Sequence, residues 1–244
     1  MDDDLTHDAF LGGQVHIWQP KKGYRAGTDP VMLAASITAK PGQTVLELGC
    51  GVATAALCLQ TRVDGLSLVG VEVQAEYAAL AERNVTEAKA DMRVVKADLQ
   101  ALPADLRQER FDHVIMNPPY FDRTKGHPSA DSQRDIAFGG DTPLATWLDI
   151  GTKRVAPQGF LTIIQKIDRL PEVLDALNGR LGSIIVRPIA PRKDASANLF
   201  LLQARQEGRA PFCLVAPLVM HAGDRYSDEV EAILRNGAEL RLSR

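Results

Sequence analysis

Residues 44–51 read Thr-Val-Leu-Glu-Leu-Gly-Cys-Gly, a short apolar strand that runs directly into a glycine-containing turn. The stretch 52–61, rich in alanine and leucine, follows at once and predicts a helix. A strand, a glycine turn and a helix in this order are typical of the opening of a nucleotide-binding α/β sheet. Ala53 stands where a Gly-x-Gly-x-Gly spacing would have its third glycine, and no glycine follows at position 54, so this is not a pyrophosphate-type Gly-x-Gly-x-x-Gly turn, and alone it is weak support for a nucleotide site.

Two further apolar strands end in acidic residues and strengthen the prediction of a nucleotide site. Residues 67–72 end in Glu72, a carboxylate placed to accept from both hydroxyls of a ribose. Residues 92–98 end in Asp98, which is suited to accept from an adenine amino group. A single acid at a strand end is usually solvated or caps a helix, but three such strands in succession are hard to explain that way. The cofactor-binding residues predicted from these strand ends are Glu47, Gly49, Cys50, Gly51, Glu72, Val73, Asp98 and Leu99.

A fourth strand, a short run that carries Val114, Ile115 and Met116, stops at Asn117-Pro118-Pro119-Tyr120, because the prolines lack the N–H groups that a strand ladder needs. The result is a stiff lip that carries one side-chain amide, exposed carbonyls and an aromatic ring. The Asn117 side-chain oxygen and the Pro118 carbonyl could accept both hydrogens of a planar amino group while Tyr120 covers its face. We predict that all four residues are catalytic, that Asn117 also contacts the cofactor, and that Tyr120 also contacts the substrate. A plain proline-rich turn is the alternative.

The alternation of strands and helices continues to the C-terminus and predicts the fold class. We expect an α/β fold with a Rossmann-like sheet of about seven mostly parallel strands, the last antiparallel, and helices on both faces. Residues 1–40 are expected to form an N-terminal arm or hairpin and a helix that pack on the cofactor site, and residues 41–244 the main domain. The later elements are predicted at 144–156, 160–164, 169–179, 183–189 and 198–204, with Tyr226-Ser-Asp-Glu229 capping a final helix.

The N-terminal region does not repeat the strand and helix pattern. Residues 16–24 predict a short hairpin or extended arm, with Lys21, Lys22 and a glycine near its turn. Gly27-Thr-Asp29 then precedes a helix over 31–35, and either Thr28 or Asp29 is expected as its N-cap, with Pro30 in the first turn. The free N-terminus of that helix could also face an anionic group of a ligand.

Residues 121–141 are polar and show neither helical nor strand periodicity. A loop of this length in a compact domain is usually functional or disordered. We interpret it as a substrate lid hinged near Gly139-Gly140, with disorder as the alternative; Arg134 lies within it.

Composition and charge limit the kinds of partner, metal site and location that the chain could have. The 244 residues carry a net charge of −3 with an isoelectric point near 6.0, so a strongly basic nucleic-acid coat is absent and any such contact must rely on local patches. The three cysteines show no metal-ligand spacing, and we expect no metal site and no disulfide. The acidic N-terminus lacks an apolar leader, and no apolar run has the length of a bilayer span, so cytoplasmic residence is the expectation.

Taken together, these motifs resemble those of the class I S-adenosylmethionine-dependent methyltransferases. Glu47 to Gly51 is similar to their first motif, Glu72 to the ribose-binding acid, Asp98 to the adenine-side acid, and Asn117 to Tyr120 to the catalytic motif of enzymes that methylate amino groups. The resemblance implies S-adenosylmethionine as the cofactor. It also implies that methyl transfer needs no strong general base.

The terminal segments resemble a narrower family, the bacterial tRNA(Val) (adenine-37-N6)-methyltransferases. The residues that show this resemblance are Trp18-Gln19, Gly27-Thr28-Asp29 and Tyr226-Ser227-Asp228. The resemblance implies a tRNA substrate, cofactor contacts by Gly27, Thr28 and Asp29, and phosphate contacts by basic residues such as Lys21 and Lys22. With such a substrate, we expect Arg134 to help hold the target nucleotide. No membrane and no obligate protein partner are expected.

Four other functions use related motifs. Methylation of a protein glutamine at N5 uses the same lip, but such proteins carry a substantial N-terminal helical domain, and only about forty residues precede the first motif here. Guanine-N2 methylation of ribosomal RNA is the closer alternative. DNA adenine methylation normally needs a separate target-recognition region. A non-catalytic module that binds the cofactor and RNA is the alternative from outside enzymology.

Overall fold

The computed structural model describes residues 4–120 and 142–242. The helices are α1 (Asp29–Ala35), α2 (Thr54–Arg62), α3 (Ala75–Ala88), α4 (Ala104–Gln108), α5 (Leu144–Arg154), α6 (Leu170–Leu177) and α7 (Asp228–Asn236). The strands are β1 (Leu5–Phe10), β2 (Val15–Pro20), β3 (Thr44–Leu48), β4 (Ser67–Glu72), β5 (Met92–Lys96), β6 (Phe111–Met116), β7 (Val155–Lys166), β8 (Gly182–Arg192), β9 (Leu199–Arg205), β10 (Cys213–Leu214), β11 (Leu218–Ala222) and β12 (Arg225–Tyr226).

One mixed sheet organises the described chain, with the strand order β12-β11-β8-β9-β7-β6-β3-β4-β5 and β10 paired to β8. The strands β3 to β7 pair with one another in parallel, whereas β9 is antiparallel to both β7 and β8. These strands together with β8 form the seven-stranded core of the sheet, so the predicted antiparallel strand is present. The short strands β10, β11 and β12 were not predicted.

Two apolar clusters show that both faces of the sheet are covered by helices. One cluster joins side chains of α1, α2, α3 and α7 to strand residues such as Val45 and Ile115. The other joins α4, α5 and α6 to the alternate strand residues, among them Leu46 and Met116. Strands that are buried on both faces need mainly apolar runs, and adjacent apolar residues such as Val45 and Leu46 in β3 and Ile115 and Met116 in β6 supply both clusters.

Several predicted boundaries needed correction. The helix predicted to reach Ala156 ends at Arg154, and the following residues already belong to β7. The strand predicted to reach Asp98 ends at Lys96, because Asp98 accepts a hydrogen bond from the Gln100 N–H and begins a 3-10 turn. At the last helix, the predicted cap is present, since the Ser227 hydroxyl accepts from the Val230 N–H.

The N-terminal hairpin lies earlier in the chain than predicted. Strands β1 and β2 pair antiparallel, and their turn contains Gly12 and Gly13, both at positive φ, while Lys21 and Lys22 follow β2. A Cβ atom on Gly12 would lie 2.6 Å from the Arg235 carbonyl oxygen, so close packing against α7 also requires glycine at this turn.

Helix α3 holds the hairpin through one buried side chain. Asn84 accepts from the Trp18 N–H at 2.8 Å and donates to the carbonyl oxygens of Trp18 and Val52 at 3.1 and 3.0 Å. The hairpin is thereby fixed to the loop that follows Gly51. The division of the chain at residue 40 remains a prediction. No helix among the described residues combines the length and the apolar character of a membrane span.

Candidate active site

The carboxyl ends of β3, β4, β5 and β6 open into a cavity of about 400 Å³. Strand β3 lies between β4 and β6, so the order in which strands are added to the sheet reverses at β3. Ligands of open α/β sheets bind at such a switch point. The volume is in the range of small-molecule sites. The predicted site residues that line the cavity are Asp29, Glu47, Gly49, Cys50, Gly51, Glu72, Val73, Asp98, Leu99, Asn117, Pro118, Pro119 and Tyr120.

Both glycines of the turn after β3 have a positive φ, and Gly49 also lies too close to a side chain to carry a Cβ atom. Gly49 has a φ of 67°, and a Cβ atom there would lie 2.4 Å from the ring of Trp147. Gly51 has a φ of 54° and donates its N–H to the Glu72 carboxylate at 3.0 Å. Ala53, at the third motif position, keeps a left-handed φ of 69° although it carries a side chain. The turn therefore has the backbone that the glycine motif predicts.

Glu72 is held rigidly at the end of β4. Its two carboxylate oxygens accept separately from the N–H groups of Gly51 and Gln74, at 3.0 and 2.8 Å. Burial raises the pKa of Glu72, and these backbone donors partly counteract that rise. Because an ionised carboxylate has about four acceptor sites, the same oxygens retain capacity for a pair of hydroxyls.

Glu47 lies deeper than Glu72, with a side chain that is only 4% exposed. Its carboxylate accepts from the Ala56 N–H at 3.1 Å, in the first turn of α2. Burial raises the pKa of Glu47 to about 8, the charge of Glu72 adds to the rise, and the Ala56 N–H opposes it. A cation placed in the cavity would favour the ionised form of this acid.

The raised pKa of Glu47 predicts a pH-dependent stability. Between its ordinary value of 4.5 and about 8, the folded protein holds a proton that the unfolded chain lacks, so stability falls as pH rises. Burial lowers the pKa of His113 from 6.5 to about 4, which has the opposite effect below pH 6.5. From pH 6.5 to 8 the contribution of His113 no longer changes with pH, so it does not offset the loss of stability that Glu47 causes.

We expect Glu47→Gln to remove this dependence. Relative to the wild type, the ligand-free variant should gain about 2 kcal/mol of unfolding free energy between pH 6.5 and 8, at about 1.4 kcal/mol per pH unit. Urea unfolding at both pH values measures it. The exposed Glu76→Gln, in the first turn of α3, serves as the control. Equal pH slopes for Glu47→Gln and the wild type would show that Glu47 titrates normally.

The side of the cavity near β5 combines apolar and acidic groups. Val73 is 46% exposed, which is unusual for a large aliphatic side chain, and it lines the cavity together with Leu99. Asp98 accepts from the Gln100 N–H at 2.8 Å through one oxygen, Oδ1. Asp98 therefore caps a helical turn, which is the usual role of an acid at a strand end, and it also lines the cavity.

The lip after β6 is held by side chains from other parts of the chain. The Pro118 carbonyl accepts from Gln165 Nε2 at 3.2 Å, and the Tyr120 hydroxyl donates to the Asp29 carboxylate in a short hydrogen bond. The Lys166 ammonium group lies 5.7 Å from the centroid of the Tyr120 ring. Asn117 and the Pro118 carbonyl are thus part of a braced structure that faces the cavity.

Some predicted site residues are not brought to this cavity. Thr28 occupies the N-cap position of α1 but makes no capping hydrogen bond, and neither Thr28 nor Gly27 lines the cavity. Lys21 and Lys22 are exposed on the segment after β2. The assignment of these four residues to ligands remains a prediction. Arg134 and the predicted lid over 121–141 lie outside the described residues.

Three aromatic residues of the site were missed from the sequence. Tyr24, Tyr77 and Trp147 line the cavity, and the Tyr77 hydroxyl donates to the Tyr24 carbonyl at 3.1 Å. No local pattern marks these residues, because each belongs to a different segment. Only the approach of α5 to the glycine turn reveals the position of Trp147.

The hydrogen-bond acceptors and the apolar side chains that line the cavity fit S-adenosylmethionine, the cofactor implied by the sequence motifs. The fixed carboxylate of Glu72 suits a ribose diol, and Val73 and Leu99 offer apolar surface to a planar base. Glu47 and Glu72 give the cavity an acidic character, which suits a cationic sulfonium compound.

Comparisons with known proteins agree with this geometry. The family described as "Methyltransferase small domain" matches residues 26–133. A protein of Shewanella baltica described as a tRNA1(Val) (adenine(37)-N6)-methyltransferase is 32% identical over 173 residues, 68% of this chain and 71% of that protein. A Bacteroides fragilis protein with the same description is 27% identical over 241 residues, 95% of this chain and 98% of that protein.

Solved structures confirm the predicted fold class. A crystal structure from Agrobacterium tumefaciens, described as a predicted O-methyltransferase, superposes with a TM-score of 0.72 at 23% identity and covers 87% of this chain and 98% of that chain. The precorrin-6y C5,15-methyltransferase of Geobacter metallireducens gives a TM-score of 0.55 at 12% identity, over 76% and 91% of the two chains.

Proposed function

This chain belongs to the family of tRNA1(Val) (adenine(37)-N6)-methyltransferases, and we propose that it transfers a methyl group from S-adenosylmethionine to the N6 amino group of an adenine in tRNA. The observation that carries the proposal is the braced lip. Asn117 and Pro118 line the cavity, where the Asn117 side-chain oxygen and the Pro118 carbonyl supply two acceptors. A planar amino group has two hydrogens to donate to them.

Residues at the ends of three neighbouring strands would hold the cofactor. Glu72 would accept from the ribose hydroxyls, Asp98 would accept from the adenine amino group, and Val73 and Leu99 would offer apolar surface to the adenine ring. The turn and its flanking residues, Glu47, Gly49, Cys50 and Gly51, surround the remaining part, with Asp29 and Asn117 on the lip side. When bound there, S-adenosylmethionine supplies an electrophilic methyl group on its sulfonium.

The chain contributes position and electrostatics to the reaction. Asn117 Oδ1 and the Pro118 carbonyl accept the two amino hydrogens, which turns the nitrogen lone pair toward the methyl group. Fixing two reactants in this way accounts for about 7–11 kcal/mol of barrier lowering. An amide oxygen does not retain a proton, so the proton of the methylated amine leaves to water afterwards.

Tyr120 provides the face on which the target base stacks. Such a contact is worth about 1–3 kcal/mol, against a few kcal/mol for extruding a base from a duplex. The balance favours an adenine that is already in a loop. We propose the adenine at position 37, in the anticodon loop of a valine tRNA, with Lys21, Lys22 and Arg134 on the substrate side.

Residues 1–40 serve in this scheme as an arm over the cofactor cavity. The support is that Tyr24, Ala26, Asp29 and Pro30 line it, although they precede the main domain in sequence. A tRNA substrate also accords with residence in the cytoplasm, where tRNA is modified.

Methyl transfer to defined tRNA tests the proposal. Purified protein, radiolabelled S-adenosylmethionine and an unmodified valine tRNA transcript should yield N6-methyladenosine on nucleoside digestion and mass analysis. A transcript with guanine in place of adenine 37 is the control and should take no label. Methylguanosine, formed from total unmodified RNA, would instead support guanine-N2 methylation. Label in protein alone, or cofactor binding without any transfer, would overturn the RNA adenine assignment.

A further inference from the structure

Strand β7 extends beyond its partner β6 at the active-site edge of the sheet. The parallel pairing of the two strands ends at Met116 and Ile163, since the prolines that follow Asn117 cannot donate to the ladder. Strand β7 nevertheless continues to Lys166, paired on its other side with β9. Continuing the register by two residues sets Gln165 beside Pro118.

The side chain of Gln165 makes a hydrogen bond to the lip beyond the last backbone pair of β6 and β7. It is completely buried, and its Nε2 donates to the Pro118 carbonyl at 3.2 Å. Its Oε1 accepts from the Lys166 N–H at 2.8 Å. Because a backbone N–H only donates and a carbonyl only accepts, these two neighbours fix the orientation of the amide and exclude the flipped one.

We propose that Gln165 is a positioning residue that aims the Pro118 carbonyl at the amino group of the substrate. The inference rests on the proposed function, in which that carbonyl accepts one amino hydrogen. A carbonyl oxygen has two lone pairs, so the one bonded to Gln165 sets the direction of the other. Without the hydrogen bond from Gln165, the cofactor cavity remains, but the Pro118 carbonyl is no longer held toward the amino group of the substrate.

The chemistry of the side chain at this position distinguishes positioning from simple packing. Gln165→Leu fills a similar volume without a donor. Gln165→Glu retains an oxygen for the Lys166 N–H, and its protonated form donates to the Pro118 carbonyl, whereas its ionised form places a negative charge against that oxygen. Gln203→Leu is the matched control, because Gln203 is also buried and donates to Thr162 Oγ1 at 3.2 Å on the same sheet.

The experiment measures kcat and KM for methyl transfer, together with cofactor affinity and thermal stability, from pH 6 to 9. Gln165→Leu should lose at least about tenfold in kcat at every pH, with cofactor affinity unchanged. For Gln165→Glu, the ratio of its kcat to that of the wild type should fall as pH rises. Gln203→Leu should keep the wild-type kcat.

Two outcomes would overturn the assignment: a kcat of Gln165→Leu equal to that of Gln203→Leu, or a pH-independent ratio for Gln165→Glu. Wild-type turnover on tRNA tests the proposed function separately. The variant ratios are measured on whichever amino-bearing acceptor the wild type methylates, so a different acceptor would correct the substrate and leave the test of Gln165 intact.

Discussion

Replacing Asn117 with alanine is expected to lower kcat by about 10²–10³-fold at saturating cofactor and tRNA. The reason is that the side-chain oxygen makes its strongest contact as the amino nitrogen begins to bond to the methyl group and its hydrogens become more acidic. The loss corresponds to about 3–4 kcal/mol of transition-state stabilisation. Single-turnover methylation of the valine tRNA transcript measures it without interference from product release.

The change should leave the fold intact, because Asn117 lies after the last residue of β6 and its side chain is only half-buried. Asn236→Ala, at the exposed end of α7, is the matched control and should keep the wild-type rate. Cofactor affinity should change much less than kcat, since Asn117 is one of many groups around the cavity. An Asn117→Ala variant with the wild-type single-turnover rate would show that the lip is a structural turn.

Replacing Glu72 with glutamine is expected to weaken S-adenosylmethionine binding by about 100-fold. Two hydrogen bonds to a charged carboxylate become one bond to a neutral amide, and hydrogen bonds to charged groups contribute about 1.5–3 kcal/mol each. The amide nitrogen must also face one of two backbone donors, Gly51 or Gln74, which the carboxylate accepts in the wild type. Calorimetric titration with the cofactor measures the effect.

Glu76→Gln, four residues further along and exposed on α3, removes the same charge without touching the cavity and should bind normally. Asn117→Ala and Glu72→Gln should therefore change different quantities, the rate of methyl transfer and the affinity for the cofactor. Asn117→Ala loses rate and keeps binding, whereas Glu72→Gln loses binding and recovers much of its rate when cofactor is raised. Equal affinity of Glu72→Gln and the wild type would remove Glu72 from the cofactor site.

Much of the sheet could be predicted because its signals are local. The strands at 44–48 and 67–72 have the predicted bounds, and the strand that carries Val114 to Met116 ends where predicted, since each is a mainly apolar run that stops at a glycine, an acid or the proline pair. The strand-end residues follow from the same signals, because parallel strands deliver their carboxyl ends to one edge. The two-residue strands β10 and β12 are too short to produce a periodic pattern.

The sequence by itself determined the order of the elements, the glycine turn and the lip, because a proline without an N–H or a glycine at positive φ acts within a few residues of its own position. Only the tertiary structure decided which distant groups complete the site. Trp147 against Gly49, and Asp29 with Tyr120, unite residues about a hundred positions apart, and Gln165 reaches Pro118 only through strand register. Such contacts depend on how helices pack across the sheet, which periodicity does not specify.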